Sequence, residues 1–193
     1  PEINVCRMTY PVAQAVEEAL MKRNMREWKE ALIASPVKQA MPILSFPGAG
    51  LLGVRVEQLV RDARLQAQAM HLVAQRTPSC AAVSMMDLSV EAEAFGSAVH
   101  FGPGEVPAVK NAIVRPHSAD SLARPDVGAG RTGQYVEAIA RACELIIDRP
   151  VFSGVIGPYS LAGRLMGVSD IMMDCFDEPQ AVHLVLGKAT DFL

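Results

Sequence analysis

The chain has 193 residues, half of them hydrophobic and a fifth charged, a composition typical of a globular protein with a buried core. No apolar run reaches the ~18 residues that a membrane helix needs, and no basic segment precedes an apolar stretch near the N-terminus. We therefore expect a cytoplasmic protein without a membrane partner. The formal net charge is -3 and the basic residues are dispersed, which argues against nucleic acid and favours a small-molecule substrate.

The first predicted element is a long amphipathic helix from Val12 to Ala34, which Ser35-Pro36 closes. Residues 41–46, Met-Pro-Ile-Leu-Ser-Phe, favour a short buried strand that ends at a glycine-containing turn over 47–50. Residues 56–74 then return as a helix. This order of helix, strand and helix is the start of an alternating pattern.

The second unit begins with a continuous apolar run over residues 81–85, typical of a parallel strand that is covered on both faces. A short helix over 90–95 and a short strand over 98–101 follow, and residues 103–107 form a loop. Serine, aspartate, proline and glycine are dense between His117 and Thr132, which predicts a second loop with at most one helical turn.

The remaining segment continues the alternation. Residues 134–147 predict a helix, 150–156 a buried strand, and the residues after Gly157-Pro158 another helix. Residues 179–193 place Val182 and its apolar neighbours on one helical face. Strands that alternate with helices indicate βαβ units and a parallel sheet, and therefore an α/β fold.

The cysteines Cys6, Cys80, Cys143 and Cys175 are far apart and form no C-x-x-C or other metal-ligand spacing. Their neighbours are apolar. We predict reduced, buried thiols rather than a metal site or a disulfide.

Two segments resemble the uroporphyrinogen decarboxylase superfamily. Residues 85–107, with Met-Met-Asp-Leu-Ser-Val-Glu-Ala-Glu-Ala-Phe-Gly followed by Val-His-Phe-Gly-Pro-Gly-Glu-Val-Pro, are similar to its strand ending in Asp, short helix and G-x-x-V-x-F hairpin. Residues 155–167, with Gly-Pro-Tyr-Ser-Leu, are similar to its G-P-[WFY]-T-L segment. The resemblance implies a (β/α)8 barrel of the TIM-barrel type.

Only four or five strands are predicted, and the last helix has no Gly, Asn or Pro to end it. We therefore expect an N-terminal partial barrel in one domain over residues 1–193. Residues 1–36 would be the leading helix and residues 41–193 the first barrel units. A half-barrel exposes the edges of its sheet, which favours a homo-oligomer.

Two departures from the decarboxylase pattern point to one branch of the superfamily. The decarboxylases carry an R-Q-A-G-R signature after the first strand, whereas residues 46–53 here have no charge. A functional tyrosine of the decarboxylases is replaced by Arg164. The resemblance therefore implies a corrinoid-dependent methyltransferase similar to methylcobamide:coenzyme M methyltransferases, which moves a methyl group between a methylcobamide and a thiol or related acceptor.

In those relatives, Zn²⁺ activates the acceptor thiol as a thiolate, and a separate corrinoid protein docks over the barrel mouth. The zinc ligands, a His-x-Cys pair and a later Cys, lie toward the C-terminal half. None of the histidines here, at 71, 100, 117 and 183, is in such a motif. We therefore expect no metal and no cofactor on this segment alone, and zinc and a corrinoid in the full-length enzyme.

Asp87 follows a predicted strand at the end where barrel active sites are built, and is our candidate catalytic residue. The alternative is an N-cap for the next helix. Glu91 is a candidate for substrate binding, or it stabilises the first turn of that helix. Phe46, Tyr159 and Arg164 are further candidates for the substrate pocket, with a packed ring or a solvated charge as the structural alternative.

Two other functions stay open at this point. Uroporphyrinogen decarboxylation is the second enzymatic hypothesis. The third is a non-catalytic half-barrel that self-associates or binds a corrinoid protein.

Overall fold

The computed structural model describes residues 23–44 and 46–193. Helix α1 spans Met25–Ala34, and the side-chain oxygen of Asn24 accepts hydrogen bonds from the backbone N–H groups of Arg26 and Glu27. An N-cap of this kind starts a helix. The predicted helix over 12–34 is therefore wrong at residues 23 and 24, and its part before residue 23 lies outside the described residues.

The predicted strand over 41–46 is wrong for its described residues. Residues 41–44 adopt no regular structure, and α2 (Pro47–Leu52) takes the place of the predicted turn. Pro42 has no N–H for a strand ladder, whereas proline suits the first turn of a helix, where Pro47 lies. Gly53, with φ +68°, ends α2 in the left-handed conformation that glycine adopts readily.

The predicted helix over 56–74 is split into α3 (Val56–Leu59) and α4 (Ala63–Arg76). Asp62 is the reason for the break. Its carboxylate accepts hydrogen bonds from the N–H groups of Arg64 and Leu65, and so caps a new helix.

The predicted parallel pairing is confirmed, although the strands are shorter than predicted. Strand β1 (Ala82–Val83) pairs in parallel with β4 (Val151–Phe152), with Ala82 opposite Val151. Between these strands lie α5 (Val90–Ala94), which was predicted, and a hairpin of β2 (Val99–His100) and β3 (Ala108–Val109). The hairpin is antiparallel and separate from the β1–β4 pair.

The segment after the hairpin contains one 3-10 turn, Pro116–Ser118, and the predicted loop, before α6 (Thr132–Leu145) begins. Helices α4 and α6 pack against β1 and β4 and bury one apolar cluster. Its buried members are Ala67, Met70, Ala74, Ala82, Ala142 and Ile146. The two helices therefore cover one face of the parallel pair.

Three helices complete the described chain: α7 (Pro158–Met166), α8 (Val168–Asp177) and α9 (Pro179–Phe192). They surround a second apolar cluster that includes Leu161, Leu165, Ile171, Val182, Val185 and Ala189. Helix α8 was not predicted. Only Ile171 of α8 is buried, and its other apolar side chains, including Phe176, are exposed.

Cys80 is half-buried and Cys143 and Cys175 are exposed, all three as free thiols. The prediction of buried cysteines is therefore wrong for these three, and Cys6 lies outside the described residues. Among the helices of residues 23–44 and 46–193, none has both the length and the apolar character to cross a bilayer.

Candidate functional site

A cavity of about 280 Å³ lies beyond the carboxyl ends of β1 and β4. Residues 85–88 follow β1 and residues 153–156 follow β4, so both strand ends contribute to its wall. Helix α6 supplies a third wall. The carboxyl end of parallel strands is where α/β enzymes bind their ligands. The lining includes Asp87, Glu91, Thr132, Tyr135, Val155 and Ile156.

Asp87 lies in this wall with a fully buried side chain. Its Oδ1 accepts hydrogen bonds from the backbone N–H of Ser89 at 3.0 Å and from the Ser89 hydroxyl at 2.6 Å. Its Oδ2 accepts from Arg131 at 2.5 Å and from the Tyr135 hydroxyl at 3.1 Å. Both oxygens are therefore satisfied within the protein, and the bond to the Ser89 N–H also stabilises the turn that leads into α5.

Arg131 directly precedes α6 and is the counter-ion of this site, with only 6% of its surface exposed. Its guanidinium donates to Asp87, to the Ser89 hydroxyl at 2.9 Å and to the Glu93 carboxylate. Burial lowers the pKa of Arg131, but the hydrogen bond to Asp87 and the charges of Asp87 and Glu93 outweigh burial and raise it. The guanidinium is therefore a permanent cation shared by two carboxylates.

Tyr135 lies four residues after Arg131 and therefore on the same face of the helix start. Burial raises the pKa of its phenol, and the nearby charge of Asp87 adds to this. The phenol stays neutral and donates its proton to Asp87. Ser89, Arg131 and Tyr135 were not predicted from the sequence. The i, i+4 spacing of Arg131 and Tyr135 after the glycine-containing loop over 128–130 is a pattern that could have indicated the last two.

Glu91 faces the cavity from the first turn of α5. Its Oε1 accepts a long hydrogen bond, 3.4 Å, from the backbone N–H of Ile156. Its Oε2 is buried and has no hydrogen-bond partner among the described residues. Burial raises the pKa of the Glu91 carboxyl, and the charge of Asp87 adds to the rise; nearby backbone N–H groups and the charge of Arg131 oppose it.

The charges on the cavity wall have one sign. Asp87 and Glu91 line the cavity, and no Lys, Arg or His is among the described residues that do so. Arg131 stands behind Asp87 and is neutralised by Asp87 and Glu93. The described wall is therefore unfavourable for an anionic ligand.

The structure brings Asp87 and Glu91 together but leaves the other three predicted residues apart from the cavity lining. Phe46 packs against the apolar cluster that contains Met85. Tyr159 is 48% exposed, and its hydroxyl lies 3.9 Å from the Cys175 sulfur. Arg164 is half-buried on α7, and its Nε has no partner in the described part of the chain.

The described residues do not fit a zinc ion. Within residues 23–44 and 46–193, no three side chains of the His, Cys, Asp or Glu type are grouped as a metal site would require.

A parallel β1–β4 pair, covered by helices and with a cavity at its carboxyl end, makes the chain an α/β protein. The described residues form two separate two-stranded sheets, so the predicted partial barrel of four or five strands is not confirmed. The family model for uroporphyrinogen decarboxylase (URO-D) matches residues 17–193, and the chain belongs to this family. The resemblance inferred from the sequence is thereby confirmed.

One solved structure similar to this chain is that of a methyltransferase from Methanosarcina mazei. The TM-score is 0.71 and the identity 23%, and the match covers 84% of this chain and 50% of that one. This likeness supports the TIM-barrel type of fold. The chain spans about half of the length of that methyltransferase. No curated protein matches the sequence.

Proposed function

We propose that the chain is the N-terminal part of a TIM-barrel enzyme that moves a methyl group between a methylcobamide and a thiol or related acceptor. The observation that carries this proposal is the cavity beyond β1 and β4, whose described wall is mainly apolar and has no cation. A cavity of this kind suits a small, weakly charged methyl acceptor. The name of the Methanosarcina mazei protein, a methyltransferase, is consistent with it.

The same wall argues against uroporphyrinogen as the substrate. A tetrapyrrole with several carboxylates needs arginines that can bind them. Residues 46–53, where decarboxylases carry arginines, contain no charge, and Arg131 is already bound to Asp87 and Glu93. Asp87 and Glu91 would repel a substrate carboxylate in this cavity.

In the proposed reaction a thiolate sulfur attacks the methyl carbon. The carbon–sulfur bond forms, the carbon–cobalt bond breaks with its electron pair left on cobalt, and the thiol proton passes to solvent. Asp87 and Tyr135 in the cavity wall are held in position by Ser89 and Arg131 behind them, because all four side chains share one hydrogen-bond network. Zinc, which would activate the thiol, has no fitting ligand set among the described residues, and we assign none of them to it.

The test is to incubate the protein, with any sequence that its gene encodes beyond Leu193, with methylcobalamin and an uncharged small thiol such as 2-mercaptoethanol. We expect loss of the methylcobalamin absorption and formation of the methyl thioether, measured by mass spectrometry. Absence of methyl transfer together with decarboxylation of uroporphyrinogen would overturn the proposal in favour of the second enzymatic hypothesis.

A non-catalytic, self-associating half-barrel is the other candidate, and the apolar surface of α8 favours it. Met172, Met173 and Phe176 are 53%, 63% and 86% exposed, which is unusual for large apolar side chains on one helix. Light scattering after size-exclusion chromatography distinguishes the two. A stable dimer without methyl transfer supports the half-barrel, and activity supports the enzyme.

A further inference from the structure

The carboxyl group of Glu91 faces the cavity with few hydrogen-bond partners among the described residues. Its Oε2 is buried without a hydrogen-bond partner in the described residues, and its Oε1 has one long bond from the Ile156 N–H. A buried polar oxygen without a partner is costly, and native proteins rarely keep one without a reason. Both Glu91 and Ile156 line the cavity, so a bound molecule is the natural partner.

The charges around Glu91 determine whether its carboxyl group is protonated. Asp87 faces it from the segment after β1, and Arg131 and Tyr135 face it from the start of α6. The residues after β4 offer a backbone N–H and no charged side chain. Since Asp87 and Glu93 already oppose the one charge of Arg131, a charge on Glu91 would leave the cluster with an excess of two negative charges. Burial of such an excess favours the neutral acid.

We infer that Glu91 is a neutral carboxylic acid that donates a hydrogen bond to the acceptor heteroatom of an uncharged small organic ligand in the cavity. This deepens the proposed function, and rests on it for the assignment of the cavity as the substrate site. The ligand class is a small ring or chain with an ether, hydroxyl or thioether group, and an anion is excluded.

The size and lining of the cavity agree with this class. An apolar cavity of about 150 Å³ is enough to admit benzene, and this one is about 280 Å³. Met85, Val136, Val155 and Ile156 contribute apolar wall around the Glu91 carboxyl. A single ring with one acceptor atom therefore fits both the volume and the chemistry.

The first experiment reads the protonation state directly and does not depend on activity. The side-chain carboxyl carbons of ¹³C-glutamate-labelled protein are followed by NMR as a function of pH, with Glu91→Gln to assign the signal. Glu144→Gln, at an exposed position on α6, is the matched control. We expect the Glu91 signal, which is lost in Glu91→Gln and kept in Glu144→Gln, to titrate above the usual glutamate pKa. A Glu91 signal that titrates at or below that pKa would overturn the inference.

The second experiment measures binding of three probes of similar size by NMR: anisole, toluene and benzoate. Anisole has an acceptor oxygen, toluene has none, and benzoate is an anion. We expect anisole to bind about fivefold tighter than toluene, the value of one net hydrogen bond, and benzoate not to bind. Equal affinity for anisole and toluene, or tight binding of benzoate, would contradict the role of Glu91.

Two variants keep this test decisive. Glu91→Gln retains a donor of the same shape, so the preference for anisole should persist, whereas Glu91→Leu should abolish it. Folding of each is checked by its thermal transition. None of these measurements involves methyl transfer, so absence of methyl transfer with intact anisole preference would refute the proposed function and leave the role of Glu91 standing.

Discussion

The acidic side chains on the α6 side and the β4 side of the cavity differ in how many hydrogen-bond partners the protein gives them. On the α6 side, Asp87 accepts four hydrogen bonds from described residues, two of them from Arg131 and Tyr135. On the β4 side, Glu91 accepts one long bond from a backbone N–H. The Asp87 carboxylate therefore stabilises the fold, and the Glu91 carboxyl group is available to a ligand. The difference comes from the neighbouring elements, since both residues belong to one short segment.

The largest expected effect comes from removal of the counter-ion on the α6 side. Arg131→Met leaves the fully buried Asp87 carboxylate without its cation, and loss of one partner of a buried pair costs about 3–5 kcal/mol. Urea denaturation measures this change in the free energy of unfolding. Arg124→Met, at an exposed position, is the control and should change it by less than about 0.5 kcal/mol.

The double variant Asp87→Asn with Arg131→Met sharpens this result. It removes both charges, so part of the lost stability should return. The stability loss of the double variant is compared with the sum of the losses of Asp87→Asn and Arg131→Met. If the loss equals that sum, Asp87 and Arg131 do not form the coupled pair described above.

Tyr135→Phe has the next largest expected effect. It removes the 3.1 Å hydrogen bond to Asp87 and keeps the ring, so we expect a loss of about 1.5 kcal/mol, the value of a hydrogen bond to a charged group. The same denaturation experiment tests it. A variant as stable as the wild type would mean that the phenol does not support Asp87.

On the β4 side, Glu91→Gln is expected to change the pH dependence of stability more than stability itself. Because the folded protein raises the pKa of Glu91, it holds this proton more tightly than the unfolded chain does. The wild type should therefore lose stability as pH rises from the usual glutamate pKa to the raised one, and the variant should lack this loss. Thermal transitions measured across that range test the sign, and parallel curves would contradict it.

The smallest expected effect is at Tyr159, which lies outside the cavity lining. Tyr159→Phe removes a hydroxyl that is exposed and 3.9 Å from the Cys175 sulfur. We expect a change of less than about 0.5 kcal/mol and unchanged binding of anisole. Weaker anisole binding would show that Tyr159 reaches the ligand and that our assignment of the cavity wall is incomplete.

Part of the fold could be predicted because the sequence patterns that indicate it are local. The apolar run at 81–85 predicted a parallel strand, and the apolar face of residues 179–193 predicted α9. The break at Asp62 could not be recognised from periodicity, since apolar residues continue across it and the decisive cap is a hydrogen bond. The strand expected at 41–46 failed for a related reason: hydrophobicity alone does not supply a pairing partner.

The candidate site, like the fold, could be predicted from the sequence only where it depends on neighbours in the chain. By itself, the sequence determined that Asp87 follows a buried strand and that Glu91 lies one helical turn later, because these are relations between neighbours in the chain. Only the tertiary structure decided that Arg131 and Tyr135, 44 and 48 residues away, bind Asp87 and leave Glu91 nearly unpartnered. A side chain's partners depend on which helices pack beside it, and that packing is a property of the whole fold.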